Sequence, residues 1–426
     1  MSGGLAKWIQ QFSEFAMELL EARSTLINHE ILIKYCHALM SRKGEATGLA
    51  LAGTIVDGLT KLPEDELIPF IQKLDQEFGH DKAALEKAWS HYNSNPNDTN
   101  AQKFQYSAQS QRVELFKRIN TAPGGLFTLV SLRARLRMIL HEHPEFAVID
   151  KELQSLFETW FNKGFLSLER INWHTSAAIL EKLIEYESVH EIKGWDDLRR
   201  RLAEDRLCFA YFHPLMPDEP LIFVEVALVD DISNSIEALL ESEPKSAEEA
   251  NTAVFYSINN CQPGLVGVSF GNLLIKQVVN TLQQSHPQCK RFVTLSPIPK
   301  FSRWLSTHYQ TQYQQAQDGT HDDKFMALAC HYLTSFQNGR VIDPVAHFHL
   351  GNGATLFRIN KAADQSAKGL SQSFGMMVNY LYEWDDIIKN HEQLMEHGRI
   401  ALSKDIQNIM KKYPLTSFQD DQSCTD

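Results

Sequence analysis

The sequence of 426 residues lacks a long hydrophobic run and an excess of positive charge. No stretch of about 18 apolar residues is free of charged side chains, so the sequence predicts no transmembrane helix. The 41 lysines and arginines are outnumbered by 53 aspartates and glutamates, which gives a formal net charge of -12. Nucleic-acid binders usually carry a basic surface, and we therefore expect neither a nucleic-acid partner nor a membrane partner.

Cysteine is also scarce. The six cysteines are scattered and form no C-x-x-C pair, which argues against a zinc ribbon or a disulfide framework. We expect reduced thiols and no metal site. Cys261 lies in a glycine-rich region where a thiol can be accessible, but no histidine is near it in sequence, so we expect it to be inert. The start, MSGGLAKWIQQFSEF, has no basic region followed by an apolar one, and the expected location is the cytoplasm.

Periodicity divides the sequence into two parts. Up to residue 162 apolar residues recur at spacings of three and four, as in Leu129, Leu132 and Leu136, which predicts amphipathic helices. Gly, Pro and Asn clusters such as NSNPNDTN and TAPGG interrupt the pattern and separate the helices. We predict an all-α bundle over residues 1–162 and a different domain over residues 163–426, since the chain is longer than one core usually serves.

The second part contains short runs rich in aromatic and β-branched residues, which predict strands. These runs are LCFAYFHP (207–214), EPLIFVEVAL (219–228) and AVFYSI (253–258). A glycine-rich stretch, a helical pattern in GNLLIKQVVNTLQQSHP and the strand-like RFVTLSPIP follow, which together predict a β-turn-α-β unit. We also predict a strand pair over residues 345–360, around a Gly-Asn-Gly turn, and one closing helix in HEQLMEHGRIALSKDIQNIMKKY.

The stretch GLVGVSFGN (264–272) matches the G-x-S-x-G pattern of a hydrolase nucleophile elbow. An elbow serine lies directly at the end of a strand, whereas ten residues separate Ile258 from Ser269. An elbow is therefore disfavoured, although spacing alone leaves a triad of Ser269, Asp343 and His349 open.

The alternative is a loop for a phosphate group. Gly264, Gly267 and Gly271 would let the backbone approach an anion closely, and the free N–H groups at the start of the next helix would face it. A pyrophosphate suits such a loop.

Several separate blocks of the second part resemble the malonyl-CoA decarboxylase family, in the same order. These blocks are HPLMPDEPLIFVEVAL, FYSINNCQPGLVGVSFGNLLIKQVV, TLSPIPKFSRWL, PVAHFHLGNGATLFRIN and SQSFGMMVNYLY. The resemblance implies an α+β protein with an N-terminal helical oligomerisation domain and a C-terminal catalytic domain similar to the GNAT acetyltransferase fold. It also implies a homo-oligomer, a dimer or tetramer, with malonyl-CoA as substrate.

The resemblance implies a CoA-binding loop and a catalytic group. The loop would consist of Val266, Gly267, Val268, Ser269, Phe270, Gly271 and Asn272. Animal members carry a glutamate where Ser269 stands, so any role of that acid does not transfer to this chain. The catalytic residues would be Ser296 in LSPIP and His349 in HFHLGNG, with Tyr382 of NYLY orienting them. On the predicted strand, His347 and His349 would share a face.

Decarboxylation of malonyl-CoA needs no added cofactor, because the thioester itself accepts the electrons and CoA is part of the substrate. Ser296 would position the carboxylate or donate to the developing oxyanion, and His349 would deliver a proton to the α-carbon, or the two would share these roles. An N-acyltransferase of the same fold and a non-catalytic CoA-binding regulator are the alternatives.

Overall fold

The computed structural model describes residues 28–41, 44–268 and 271–421. This part of the chain forms two compact units. The first contains the described residues up to Phe165, together with His213–Pro217 and Gln262–Val268. The second contains Leu166–Phe212, Asp218–Cys261 and the described residues from Gly271 onwards.

The first unit is helical, as the spacing of apolar residues predicts. Its helices are α1 His29–Ser41, α2 Glu45–Lys61, α3 Glu64–Glu77, α4 Lys82–Ser94, α5 Asp98–Ser107, α6 Gln111–Ile119, α7 Gly125–Ile139 and α8 Ala147–Trp160. Helix α5 begins in the predicted break NSNPNDTN, where the side chain of Asn97 accepts the N–H of Asn100. The start of α4 was not predicted; there the side chain of Asp81 accepts the N–H of Ala84. The predicted stripe on α7 is confirmed, because Leu129, Leu132 and Leu136 are buried.

The second unit is built on a mixed sheet of eight strands. The strands are β1 Ser167–Ile171, β2 Arg206–Phe212, β3 Ile222–Val229, β4 Thr252–Asn260, β5 Arg291–Thr294, β6 Ser296–Pro297, β9 Thr355–Asn360 and β10 Met377–Tyr382. A separate small hairpin consists of β7 Phe336–Gln337 and β8 Arg340–Val341. The three runs that predict strands from their aromatic and β-branched residues are confirmed as β2, β3 and β4.

Helices of the second unit lie between these strands and after them. They are α9 Ala177–Tyr186, α10 Trp195–Arg201, α11 Ile236–Glu241, α12 Gly271–Ser285, α13 Phe301–His308, α14 Gln310–Gln317, α15 Asp323–Thr334, α16 Pro344–Gly351, α17 Ala367–Ser373, α18 Ile387–His397 and α19 Lys404–Lys412. A helical region followed by an α/β domain is the predicted fold class, and it is confirmed.

The pairing of the sheet changes direction at β5. Strands β1 to β4 pair antiparallel in sequence order, whereas β4 and β5 pair parallel and are joined through α12. The β4–β5 ladder runs from Thr252 opposite Arg291 to Phe255 opposite Thr294. β10 then pairs antiparallel with β5, with β6 and with β9. The predicted β-turn-α-β unit is therefore present, and β5 ends beside β10.

The predicted strand pair over residues 345–360 is wrong in its first half. The segment forms α16 and then β9, with Gly353 at a positive φ of 86° in the turn. Asp343 precedes Pro344, and an acidic N-cap followed by proline at the first helical position favours a helix start. This local signal prevails over the alternating pattern of the following residues.

The predicted single closing helix is two helices. α18 ends at Gly398, which has a φ of 62°, and its N–H donates to the carbonyls at the end of the helix. α19 begins after Ser403, whose hydroxyl accepts the N–H of Ile406. Glycine at a left-handed C-cap is a common helix stop, so Gly398 is the signal that divides the segment.

None of the helices within the described residues is long and apolar enough to cross a membrane.

Candidate active site

Ser296 lies where the chain passes from β5 to β6. β5 pairs with β4 as far as Thr294, and after Leu295 the chain joins β10 by the pairing of Ser296 with Val378. Pro297 follows directly and restricts the serine to extended conformations. The serine is 5% exposed. Its backbone is therefore fixed by strand pairing on one side and by proline on the other.

His349 lies in the last turn of α16. The carboxylate of Asp343 caps this helix, accepting the N–H groups of Val345 and Ala346 at 3.0 and 2.8 Å. His349 is 3% exposed. The capped helix α16 therefore fixes the backbone that carries the imidazole.

The structure brings the three predicted catalytic residues together. The Oγ atom of Ser296 lies 3.1 Å from Nε2 of His349. The other ring nitrogen of His349, Nδ1, lies 2.9 Å from the hydroxyl oxygen of Tyr382. Ser296, His349 and Tyr382 therefore form one buried hydrogen-bonded chain.

Two neighbours complete the surroundings of this chain, and the sequence does not single them out. The ring of Tyr380 stacks on the imidazole of His349, with centroids 4.7 Å apart and an interplanar angle of 24°. The Oγ atom of Ser296 also lies 2.9 Å from Oγ1 of Thr294. Both residues are completely buried. Their residue types are common in sheets, so nothing in the pattern distinguishes them from core residues.

The imidazole of His349 is neutral. Burial disfavours the imidazolium and lowers the pKa of His349 to about 3. Its two ring nitrogens contact hydroxyl groups, and no carboxylate within the described residues hydrogen-bonds to it. Burial also raises the pKa of Tyr382 well above its usual value.

Asp343 does not complete a hydrolase triad with His349. Its carboxylate caps α16 and accepts the hydroxyl of Tyr332 at 3.1 Å, and burial raises its pKa. Both ring nitrogens of His349 are already bonded to Ser296 and Tyr382. Ser269 lies outside the described residues. The geometry around His349 therefore gives the triad reading no support.

His347 and His349 do not share a face. Both are on α16, where two residues apart means a rotation of about 200° around the axis. His347 is partly exposed, whereas His349 is buried. The pair is therefore not arranged as two metal ligands. The described residues contain no cluster of three or more His, Cys, Asp or Glu side chains suited to a metal ion.

The first residues of the predicted CoA loop belong to the helical unit. Val266 is 49% exposed, and Gly267 has a φ of 89°, which favours glycine. Gly264 has a different role from the expected approach to an anion. A Cβ atom there would lie 1.9 Å from the carbonyl oxygen of Val130 on α7. Gly264 is therefore needed for packing against the helix.

A buried arginine holds this segment. Nη1 of Arg133 donates to the carbonyl oxygens of Gly264 and Val266 at 2.7 and 2.9 Å. Its Nε donates to Asp150 at 2.9 Å, and the residue is completely buried. In the helical pattern Arg133 is one of the polar residues between the apolar ones. Periodicity alone therefore does not reveal its buried network.

The remaining loop residues are described only in part. Ser269 and Phe270 lie outside the described residues, and the backbone of Gly271 and Asn272 forms the first turn of α12. Cys261, before the loop, is buried, and burial raises its pKa, so it is not the accessible thiol considered above. Cys36, Cys208, Cys289 and Cys330 are also free and buried.

Comparison with known proteins gives a consistent result. The model of the malonyl-CoA decarboxylase C-terminal domain matches residues 164–324 and 310–419, and the model of the N-terminal domain matches residues 78–161. The mitochondrial malonyl-CoA decarboxylase of Mus musculus is 35% identical over 360 residues, which cover 73% of each chain. The chain belongs to the malonyl-CoA decarboxylase family.

Solved structures agree with this assignment. The crystal structure of malonyl-CoA decarboxylase from Rhodopseudomonas palustris is 43% identical with a TM-score of 0.85, and covers 90% of this chain and 100% of that one. The crystal structure from Agrobacterium vitis is 41% identical with a TM-score of 0.83, and covers 89% and 99%. The C-terminal unit has the α/β architecture that the sequence resemblance implies, with parallel β4 and β5 joined through α12 in a mixed sheet.

Proposed function

We propose that this chain decarboxylates malonyl-CoA to acetyl-CoA and CO2 with Ser296 and His349 as catalytic residues. The class of activity follows from membership of the family. The observation that carries the assignment of residues is the 3.1 Å contact between Oγ of Ser296 and Nε2 of a buried, neutral His349. Tyr382 orients the imidazole through Nδ1.

The reaction has two parts. When the bond to CO2 breaks, its electron pair moves into the thioester and forms an enolate, and the α-carbon then takes a proton. The chain of Ser296, His349 and Tyr382 supplies hydroxyl and N–H donors to the developing charge and to the carbon. Because these groups are buried, bulk water does not compete with the substrate for their hydrogen bonds. The reaction uses no cofactor beyond the CoA of the substrate.

The neutral state of His349 predicts the pH profile. Its pKa is about 3, so the imidazole stays neutral from about pH 5 to about pH 8. A proton is bound only as the pH falls toward that pKa. We therefore expect kcat/KM, which reports groups of the free enzyme, to show no loss assignable to His349 over this range. A loss of activity with a pKa near about 6.5 that persists in His347→Ala would contradict this expectation.

The CoA pyrophosphate is assigned to the loop from Val266 to Asn272. The first N–H groups of a helix have no partner within the helix and suit an anion, and the loop leads into the first turn of α12. Gly267, at a positive φ, lies just before it. The overall charge of -12 means that a CoA molecule must be held by such local groups. We assign Ser269, which lies outside the described residues, to this loop and not to the role of nucleophile.

The substitution Gly267→Asn tests this loop. Asparagine tolerates a left-handed backbone better than other non-glycine residues, so the protein should fold. Its Cβ atom would lie 3.1 Å from Nε2 of Gln154, so that side chain must move and the segment before α12 is disturbed. We expect the Kd for CoA, measured by calorimetry, to rise by about tenfold or more, or ~1.4 kcal/mol. Gly319→Asn is the matched control, since Gly319 has the same φ of 89° and open space around it. Equal CoA affinity in both variants would remove the loop assignment.

One turnover assay separates the proposed activity from the alternatives. Purified protein is incubated with malonyl-CoA alone, and CO2, acetyl-CoA and free CoA are measured. Equal amounts of CO2 and acetyl-CoA support the decarboxylase. Release of free CoA only after an amine is added would support the N-acyltransferase, and binding without turnover would support the regulator.

The oligomer and the compartment belong to the same proposal. We place homo-oligomer contacts on the helical unit, where Trp89 is 50% and Tyr106 79% exposed. Light scattering should give a mass above that of one 48.6 kDa chain. The cysteines of the described residues are free and buried, which fits a reducing compartment, and the compartment we propose is the cytoplasm.

A further inference from the structure

Thr294 is completely buried at the end of β5, and two residues of β10 donate hydrogen bonds to it. The amide nitrogen of Tyr380 donates to Oγ1 of Thr294 at 3.1 Å. The side-chain nitrogen of Asn379 donates to the carbonyl oxygen of Thr294 at 2.7 Å. Both the backbone and the hydroxyl of Thr294 are therefore fixed, two residues before Ser296.

Asn379 is itself held in one orientation. Its Oδ1 accepts Nε of Arg358 at 3.0 Å and Nδ2 of Asn360 at 2.8 Å, so its Nδ2 is left as the group that faces Thr294. The same Nδ2 also donates to the carbonyl oxygen of Ser233 at 3.1 Å. A buried network with each member bonded resists rotation, and it extends this rigidity to Thr294.

The hydrogen bonds of the site can run in two directions. In the first, Tyr382 donates to Nδ1 of His349, Nε2–H donates to Ser296, and Ser296 donates to Thr294. In the second, every proton is reversed. Within the described residues, the first leaves the proton of Thr294 without an acceptor, and the second leaves that of Tyr382 without one.

The first direction is favoured because it pairs the stronger donor with the stronger acceptor. A phenol, with a pKa of about 10, is a far better donor than an aliphatic hydroxyl, and an imidazole nitrogen is a better acceptor than a hydroxyl oxygen. Leaving the phenol proton of Tyr382 unpaired in a buried site costs more than leaving that of Thr294. The N–H of Tyr380 further marks Oγ1 of Thr294 as an acceptor.

We propose that Thr294 is a positioning residue whose Oγ1 accepts a hydrogen bond from the hydroxyl of Ser296. The lone pair of Ser296 then faces His349, so His349 carries its proton on Nε2. The chain of donors then runs one way, from Tyr382 through His349 to Ser296. Thr294 does not touch the substrate and acts through Ser296.

This inference deepens the proposed function and rests on it for its meaning in turnover. The electron pair of the broken C–C bond enters the thioester and forms an enolate. The hydroxyl of Ser296, which donates to Thr294 in the resting protein, then gives its proton to the α-carbon. Ser296 regains a proton from Nε2 of His349, and Nδ1 takes the proton of Tyr382. Water then returns a proton to Tyr382. The imidazole is left with its proton on Nδ1, and proton exchange with water returns this proton to Nε2 before the next turnover.

A measurement on the protein without substrate tests the direction of these hydrogen bonds. In protein labelled with ¹⁵N at histidine, with His349→Ala used to assign the signals, we expect His349 to show a protonated Nε2 and an unprotonated Nδ1. Tyr382→Phe removes the donor to Nδ1 and should shift the signals toward the other tautomer. Protonation at Nδ1 in the unaltered protein would overturn the proposal, even if Ser296 and His349 prove catalytic.

Kinetics test the role of Thr294. We expect Thr294→Val to lower kcat by about tenfold with KM for malonyl-CoA changed less than about twofold, because the substitution alters the orientation of a reacting group and not binding. Thr294→Ser keeps the hydroxyl and should restore kcat to within about threefold. Thr252→Val is the matched control, since Thr252 is equally buried at the far end of the β4–β5 ladder, and its hydroxyl donates to Asn251.

The outcomes separate this inference from the proposed function. An unchanged kcat in Thr294→Val, or an equal loss in Thr252→Val, would overturn the positioning role while leaving the catalytic pair in place. If Thr294→Val does not fold, Thr294→Ser decides the question. A loss of activity in that variant, which keeps the hydroxyl, would overturn the positioning role. Full activity of Ser296→Ala would instead overturn the proposed function.

Discussion

Alanine at Ser296 or at His349 is expected to lower kcat by about a hundredfold or more. Each substitution removes one member of the hydrogen-bonded chain that we propose acts on the substrate. CoA affinity should barely change, because the phosphates are assigned to the loop from Val266 to Asn272 and interactions made in the transition state affect turnover more than binding. Steady-state kinetics with malonyl-CoA and calorimetry with CoA measure the two effects separately.

His347→Ala is the control for the histidine variant. His347 lies on the same helix, two residues away, and points elsewhere, so most activity should remain. If His347→Ala abolished turnover while His349→Ala left it intact, the assignment of the histidine would be wrong.

Arg133→Met is expected to give the largest loss of stability. It removes a completely buried guanidinium that pairs with Asp150 and donates to the carbonyl oxygens of Gly264 and Val266. Breaking a buried pair by removing one partner costs about 3–5 kcal/mol, because the other charge stays buried. Urea denaturation followed by circular dichroism should show this loss in the free energy of unfolding, and CoA affinity should fall with it as the segment before the loop loosens.

Arg137→Met is the matched control. Arg137 lies one turn further along α7 and its Nη1 is 3.5 Å from the same carboxylate of Asp150, but its side chain is 34% exposed. An exposed pair of this kind contributes about 0–1 kcal/mol. Equal losses in the two variants would mean that the buried network of Arg133 does not stabilise the helical unit as described.

The sequence predicts the fold where local and global preferences agree. The strands β2, β3 and β4 are apolar, aromatic and long enough to be recognised, and the stripe of Leu129, Leu132 and Leu136 matches the buried side of α7. It fails at α16, where alternation around His349 indicates a strand although Asp343 and Pro344 begin a helix. There a local capping signal outweighs periodicity.

The candidate site was predictable only in part. Resemblance to a family supplies Ser296, His349 and Tyr382, since each lies in a distinctive block of sequence. Thr294 and Arg133 lie in ordinary strand and helix patterns, and their importance comes from partners about 80 to 130 residues away in the chain. Such contacts exist only once the strands and helices have packed, so periodicity and composition do not reveal them.

The double variant Ser296→Ala/His349→Ala tests most directly whether the two residues act as one catalytic unit. Groups that act on the same developing charge are strongly non-additive, so kcat of the double variant should lie within about threefold of that of the poorer single variant. The measurement is kcat for CO2 release by the unaltered protein, both single variants and the double variant under identical conditions. If the two losses multiplied, to about ten-thousandfold or more, Ser296 and His349 would act independently and the hydrogen-bonded pair would not be the catalytic unit.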